Sequence, residues 1–193
     1  VLLSDYLLMR KKENGTLPVN PVIVKTIVTT ELVRKVAAPY GAEIKDVLTG
    51  FKYIGDVIGK LEKKGEENRY VLGFEESYGY LSGTYVRDKD GVNASMLVAE
   101  MAAYYKAKGK TLIDRINEIY SLYGLYEHKL VTYEFAGAEG NDKMKSLLKA
   151  LRDRLPEEIA GSEVIRSVDY LTQTEADLPR SNVLSFFTED GSQ

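Results

Sequence analysis

The sequence predicts an α/β fold, a mixed sheet sandwiched between helices, followed by an incomplete α+β C-terminal unit. Short β-branched apolar runs alternate with longer amphipathic segments through the first part of the chain, which is typical of such a sheet. After Gly124 the pattern changes to strand-like alternation around a single amphipathic helix. The length of 193 residues allows one domain with a sizeable core plus part of another.

The predicted sheet contains three short apolar strands. Residues 21–27 form a nearly continuous β-branched run, which is typical of a strand buried on both faces. Residues 42–48 and 70–74 predict the second and third strands. A helix before Gly41 separates the first two strands, and residues 53–64 predict a helix with one apolar face between the second and third.

Helices are predicted at both ends of this first part. Residues 1–13 place apolar side chains at helical spacing ahead of a basic end. Residues 92–108 are apolar nearly all round, so we expect a well-buried helix there. Thr111 and Asp114 predict a capping box for a last helix, and Gly124 predicts its end.

The remaining segment has the signals of a second, smaller unit. Residues 129–135 alternate like a strand exposed on one face, and residues 141–155 form an amphipathic pattern that ends at a proline. Residues 164–170 and 183–187 predict two more strands, and a turn signal of Asp-Gly follows the second. We expect this unit to be incomplete, because the turn is not followed by a second strand.

These elements divide the chain into three segments. Residues 1–18 are interpreted as the terminal helix of a preceding domain and its linker. Residues 19–124 are interpreted as the α/β domain, and residues 125–193 as a linker and the truncated start of a C-terminal domain.

Composition excludes several classes of function. The net charge of −3 and the lack of a basic stripe argue against a nucleic-acid partner. No apolar run approaches the roughly 20 residues that span a bilayer, so no membrane partner is expected. Cysteine is absent, which rules out disulfides and fits the cytoplasm. His128 is the single histidine, which argues against a histidine zinc site or a Ser-His-Asp triad.

Polar residues follow each predicted strand. Lys25 lies at the end of the first strand, Thr49 and Gly50 follow the second, and residues 75–80 follow the third. Ligands of open α/β sheets bind beyond the carboxyl ends of the strands. Carboxylates accept hydrogen bonds from sugar hydroxyls, and cations attract phosphate. The combination indicates a sugar phosphate, although each piece alone is more typical of a simple turn or a solvated surface residue.

Three motifs resemble those of the α-D-phosphohexomutase family. Residues 73–80 (GFEESYGY) resemble its sugar-binding loop, in which Glu-x-Ser precedes an aromatic residue or Gly and then Gly or His. Residues 48–55 (LTGFKYIG) resemble its Thr-Gly-(aromatic or His)-Lys loop. Residues 86–91 (VRDKDG) resemble the Arg-x-Lys-Asp-Gly segment of its phosphoglucomutases. The resemblance covers at least residues 21–124.

The resemblance implies that this chain is a fragment. Members of the family have four domains, and the chain resembles the third, with the end of the second and the start of the fourth. The family's Ser-His-Asn-Pro nucleophile loop, Asp-x-Asp-x-Asp magnesium loop and Arg-x-Ser-Gly-Thr-Glu phosphate loop are absent from this sequence. The resemblance therefore implies that Mg²⁺ and a bisphosphorylated sugar primer are cofactors of the parent enzyme. It also implies that the remaining domains of the parent chain are partners of this fragment. The fragment is expected to bind neither cofactor and to be inactive alone.

The implied reaction interconverts glucose 1-phosphate and glucose 6-phosphate. Glu75 and Ser77 would bind the sugar hydroxyls, and Lys89 is a candidate general acid or base. Tyr78 matches the aromatic variant of the loop in glucose-specific members. The implied substrate-binding residues are Lys25, Thr49, Gly50, Glu75, Ser77, Arg87 and Lys89. We expect Glu75 to be solvent-accessible and Glu76 to alternate away from the ligand.

Two alternatives remain open at this point. The parent could be a phosphomannomutase or a dual-specificity phosphohexomutase, which differs only in substrate preference. The chain could also be a non-catalytic sugar-phosphate-binding module or, least informatively, a structural domain.

Overall fold

The computed structural model describes residues 1–172 and 178–193, which form two compact units, Val1–His128 and Lys129–Gln193. The helices of the first unit are α1 (Leu2–Glu13), α2 (Leu32–Ala37), α3 (Phe51–Glu62), α4 (Gly91–Ala107) and α5 (Leu112–Tyr123). Its strands are β1 (Val22–Thr26), β2 (Glu43–Val47), β3 (Tyr70–Glu75) and β4 (Gly79–Leu81). The elements of the second unit are α6 (Gly137–Asp153), β5 (Glu158–Ile159), β6 (Ser162–Asp169) and β7 (Leu184–Thr188).

The sheet of the first unit is mixed, in the order β2-β1-β3-β4. β1 pairs in parallel with β2 and β3, as the alternation of strands and helices predicts. The short β4 pairs antiparallel with β3, so that Gly79 lies opposite Glu75. β4 was not predicted, because three residues are too few to show a period. The predicted mixed sheet is confirmed.

Helices cover both faces of this sheet. Val22 and Val24 of β1 pack in one apolar cluster with Ile54 and other residues of α3. Ile23, between them, packs in a second cluster with α1, α2 and α4. Successive side chains of a strand point to opposite faces, so a continuous apolar run feeds both clusters. The predicted sandwich is therefore confirmed.

The burial predicted for α4 is wrong. Only Leu97, Met101 and Tyr105, which share one face, are buried, whereas Val92 is 83% exposed. Met96 is exposed too. An apolar composition all round a helix predicts burial only where other elements cover every face, and within the first unit α4 packs against the sheet on one side.

The second unit is built on an antiparallel sheet in the order β5-β6-β7. The Arg152 guanidinium of α6 donates to both carboxylate oxygens of Asp169, at the end of β6, over 3.0 and 3.2 Å. The strand predicted over 129–135 does not form, since these residues have neither regular secondary structure nor ladder partners among the described residues. Alternation gives a strand only where a neighbouring strand supplies hydrogen bonds.

Candidate functional site

The carboxyl ends of β1, β2 and β3 lie at one edge of the first sheet. The parallel register pairs Thr26 with Val47 on one side of β1 and Lys25 with Phe74 on the other. The loops after the three strands therefore leave from the same rim. This is where ligands of open α/β sheets bind.

Glu75, Ser77 and Lys89 meet at this rim. The Glu75 side chain, at the end of β3, is only 4% exposed. Its Oε1 atom accepts a hydrogen bond from Ser77 Oγ at 2.8 Å and lies 3.2 Å from Lys89 Nζ. The hydrogen bond from the ammonium to this carboxylate raises the pKa of Lys89 above its usual value. A buried carboxylate is thus held between a hydroxyl and a cation.

The burial of Glu75 differs from the accessible side chain that we expected. β4 folds back antiparallel on β3, and Gly79 then lies directly opposite Glu75. The loop that carries Lys89 covers the other side of the carboxylate. Glu76, by contrast, is exposed, and its Oε2 atom lies 3.6 Å from Nε2 of His128.

The turn between β3 and β4 has a strained tip. Tyr78 adopts a φ of +59° and is 89% exposed. Side chains other than glycine, asparagine and aspartate rarely adopt this left-handed conformation, so a tyrosine here is a conformational cost that the surrounding pairing must offset. The ring is left projecting at the rim, where it can contact a ligand.

The loop over 82–90 is fastened to the sheet and to α4. Asp90 is the N-cap of α4, since its side chain accepts from the backbone N–H of Asn93 at 2.9 Å. Its own N–H donates to the carbonyl of Tyr80 at 2.8 Å. Tyr85 donates to the Asp90 carboxylate at 2.5 Å, which with the cap lowers the pKa of Asp90. These bonds place Lys89 beside Glu75.

Arg87 is directed to a different set of partners. Its guanidinium forms an ion pair with Glu62 at the end of α3 and donates to the carbonyls of Thr84 and Val86. The Arg87 backbone lies against Gly55, where an added Cβ would approach the Arg87 carbonyl oxygen to 2.8 Å. The structure therefore holds this loop on α3 and does not bring the Arg87 side chain into contact with Glu75.

Lys25 is buried among carboxylates. Its side chain has no exposed surface, and its Nζ atom lies 2.8 Å from Glu31 and 2.9 Å from Asp46. The same atom donates to the carbonyl of Thr29 at 3.0 Å. The two carboxylates offset the charge of the buried ammonium, and the Thr29 carbonyl accepts one of its three N–H donors. The sequence did not indicate Glu31 or Asp46 as partners of Lys25, because neither residue belongs to one of the recognised motifs.

Thr49 and Gly50 form the turn between β2 and α3. Gly50 has a φ of +125°, a conformation that favours glycine, and it is the N-cap residue of α3. Thr49 is exposed. The first backbone N–H groups of a helix are attractive to anions, so the turn presents donors at the rim.

Two residues within the motifs were not assigned a role from the sequence. The ring centroid of Phe51, the first residue of α3, lies 5.5 Å from Lys89 Nζ. Gly79 lies against the side chains of both Glu75 and Lys89. Their position in the motifs was a signal, but the contact with Lys89 depends on the path of the loop.

The described residues contain no group of three or more His, Cys, Asp or Glu side chains placed to hold a metal ion. The acidic side chains at the rim are paired with cations instead, as Glu75 is with Lys89 and Asp46 with Lys25. None of the described helices combines the length and the apolar character needed to cross a membrane.

Comparisons with known proteins agree with the motifs. A family model described as "Phosphoglucomutase/phosphomannomutase, alpha/beta/alpha domain III" matches residues 1–123. A phosphoglucomutase of Staphylococcus aureus (strain MRSA252) is 36% identical over 179 residues, which cover 88% of this chain and 32% of that protein. A phosphoglucomutase of Staphylococcus haemolyticus is 34% identical over 200 residues, covering 98% and 35%.

A solved structure supports the fold. Parafusin, a phosphoglucomutase from Paramecium in its open form, matches with a TM-score of 0.55 and 22% identity. The match covers 97% of this chain and 32% of that protein. The chain thus spans about a third of the length of the relatives it matches. By its motifs, its mixed sheet and these matches, the chain belongs to the α-D-phosphohexomutase family and carries the family's third, alpha/beta/alpha domain.

Proposed function

We propose that this chain supplies the sugar-recognition part of a phosphoglucomutase that interconverts glucose 1-phosphate and glucose 6-phosphate. The observation that carries the proposal is the Glu75 carboxylate, held at the sheet rim by Ser77 and Lys89. A carboxylate can accept hydrogen bonds from sugar hydroxyls, and because Glu75 is only 4% exposed, such contacts require the loops that cover it to move aside. The names of the relatives favour glucose as the sugar.

Lys89 is the proposed general acid or base. Its side chain is 46% exposed, so the ammonium is reachable from the solvent side of the rim while it contacts Glu75. Proton transfer needs a group within about 2.6–3.2 Å of the reacting hydroxyl. The hydrogen bond to Glu75, which raises the pKa of Lys89, favours the ammonium form and makes it a weaker acid, so its positive charge is suited first to stabilising the charge of a phosphate.

The other proposed ligands divide into two groups. Thr49 and Gly50 present a hydroxyl and backbone donors at the start of α3 and are free to line the sugar or the phosphate. Lys25 and Arg87 are engaged with carboxylates, so a direct contact with substrate requires each to exchange its present partners. We propose that their effect on substrate binding is through the loops that they hold.

Mg²⁺ and the bisphosphorylated sugar primer belong to the parent enzyme in this proposal. The described residues do not include a fitting set of metal ligands, so the ion would be held by another part of the parent protein. We further propose that the parent is cytoplasmic and that this domain acts together with the remaining domains of the same chain.

The test is substrate selection in the full-length parent enzyme. Glucose 1-phosphate and mannose 1-phosphate are offered separately with Mg²⁺ and the matching bisphosphate, and kcat/KM is measured for each. A clear preference for glucose 1-phosphate is expected. Equal or reversed preference would support the phosphomannomutase or dual-specificity alternative, which the name of the family model also allows. A parent without turnover on either sugar would support the binding-module alternative.

A further inference from the structure

Lys89 is enclosed on three sides. Its ammonium lies 3.2 Å from Oε1 of Glu75 and 5.5 Å from the centroid of the Phe51 ring. The third side is Gly79, whose backbone faces Cε of Lys89. The three come from β3, from the first turn of α3 and from β4, so three separate elements converge on one side chain of a loop.

A glycine at position 79 leaves the space in which the side chains of Glu75 and Lys89 meet. A Cβ atom built on it would lie 2.9 Å from both Cγ and Oε1 of Glu75 and 3.1 Å from Cε of Lys89. Contacts under 3.0 Å do not occur without displacement, so a side chain here would displace Glu75 and press on Lys89, which disturbs the contact between them. Gly79 does not have a positive φ, unlike Gly83 at +113°, so its backbone could accept another residue. The restriction comes from the two side chains alone.

Phe51 supplies a fixed aromatic surface. It is 3% exposed and belongs to the apolar cluster between α3 and the sheet, which also contains Ile54 and Leu81. A cation within about 6 Å of an aromatic ring centroid is attracted by the ring quadrupole. The position of the ring is therefore set by the core and not by the loop that carries Lys89.

We propose that Phe51 and Gly79 are positioning residues that together hold the Lys89 ammonium against Glu75. The catalytic meaning of this rests on the proposed function, in which Lys89 acts on the sugar beside the Glu75 carboxylate. A lysine has a long flexible side chain, and its usefulness as an acid or a phosphate ligand depends on placement to within a fraction of an ångström. The Phe51 ring and the absence of a side chain at Gly79 favour the position of the ammonium beside Glu75.

The test is NMR spectroscopy of this chain, labelled with ¹³C and ¹⁵N, without any assay of activity. The Lys89 side-chain signals are assigned by their loss in Lys89→Arg. Phe51→Leu is expected to remove the ring-current displacement of the Lys89 Cε and Hε signals and to lower the pH at which they titrate. Phe51→Tyr, which keeps the ring, is expected to preserve both. Gly79→Ala is expected to lower the titration midpoint of Lys89 by separating it from Glu75.

The matched control is Tyr53→Leu, because the Tyr53 ring lies 4.9 Å from Lys52 Nζ and should affect that lysine only. Unchanged Lys89 signals in Phe51→Leu or in Gly79→Ala, with a native amide spectrum, would overturn the proposal. If either variant does not fold, the Lys89→Met variant is used instead. The proposal then requires the Phe51 ring signals to shift relative to those of the unsubstituted chain, and the absence of such a shift would overturn the proposal. Failure of the parent to act on sugar phosphates would leave these signals unaffected, so the two proposals fail separately.

Discussion

The Nζ atom of Lys89 lies 3.2 Å from Oε1 of Glu75, although the two residues come from different elements at the rim of the sheet. Glu75 ends β3, and Lys89 directly precedes Asp90, the N-cap of α4. The pair therefore depends both on the strand and on the start of the helix. This dependence makes the contact between Glu75 and Lys89 sensitive to changes in the loop over 82–90 as well as to changes in the turn between β3 and β4.

We expect Glu75→Gln to reduce kcat/KM of the full-length parent enzyme by about ten- to a hundredfold. Glutamine replaces an acceptor oxygen with a donor, and a hydrogen bond to a charged group contributes roughly 1.5–3 kcal/mol. Glu76→Gln is the matched control and should cost much less, since Glu76 is exposed on the same loop. Equal, small effects of the two substitutions would show that Glu75 does not read the sugar.

The same two variants should differ in stability when made in this chain. Glu75 is buried between Ser77 and Lys89, so Glu75→Gln weakens a charged contact and should lower Tm measurably. Glu76→Gln should leave Tm unchanged within error. Thermal unfolding followed by circular dichroism measures both, and an unchanged Tm in both variants would mean that the Glu75 contacts do not persist in solution.

We expect this chain alone to have no phosphoglucomutase activity. The family's nucleophile loop is absent from the sequence, and loss of a catalytic nucleophile costs on the order of 10⁶ in kcat. A coupled assay with glucose 1-phosphate, the bisphosphate primer and Mg²⁺ measures this, with an identically purified Lys89→Met variant as the control. Turnover above that control would show that the chain carries its own nucleophile.

Gly73→Ala should destabilise the first unit by about 2–3 kcal/mol in the free energy of unfolding. A Cβ atom on Gly73 in β3 would lie 2.5 Å from Cγ2 of Ile54 and would clash with the hydroxyl of Tyr70. That hydroxyl donates to the carbonyl of Leu81 at 3.0 Å in the core, so it has no free space to move into. Urea denaturation measures the loss.

Gly59→Ala is the control for this prediction. Gly59 lies within α3, and a Cβ atom on it meets nothing within 4 Å. Alanine should therefore stabilise the helix by about 0.5–1 kcal/mol through its lower conformational entropy in the unfolded chain. Similar effects of the two substitutions would contradict the packing described for β3 and α3.

The second unit should lose stability in acid because of Asp169. Its carboxylate accepts from Arg152, from the N–H of Leu171 and from Thr172, and the hydrogen bond to Arg152 is the main reason that its pKa lies below the usual 3.8. A carboxyl group with a lowered pKa stabilises the fold above its unfolded pKa, and this contribution is lost as the pH falls through the folded value.

Asp169→Asn should therefore cost about 1–2 kcal/mol at neutral pH, and the difference from the natural chain should shrink as the pH falls below 3.8. Asp142→Asn is the control, since Asp142 is an exposed residue of α6 that lies 3.8 Å from Lys145. The measurement is urea denaturation at pH 7 and pH 3, monitored through the NMR amide signals of β6 and β7, and it separates the two variants. A difference that does not depend on pH would contradict the role given to the Asp169 charge.

The α/β class could be predicted from the amino-acid sequence alone, and so could the three parallel strands and the rim at which the polar motifs meet. These features are local, since the β-branched run of 21–27 and the apolar face of α3 are set by neighbours along the chain. The motifs at 48–55 and 73–80 also indicated the family, because their residues lie within a few positions of one another.

The pairing of charged side chains, by contrast, could not be predicted and is seen only in the folded chain. Asp5 of α1 is buried beside Arg115 of α5 at 2.7 Å, and Lys25 is enclosed by Glu31 and Asp46, yet no periodicity connects these residues. The burial of Glu75 depends on β4 and the following loop folding over it. Such contacts form between distant parts of the chain, so their geometry follows from packing and not from the local pattern of residues.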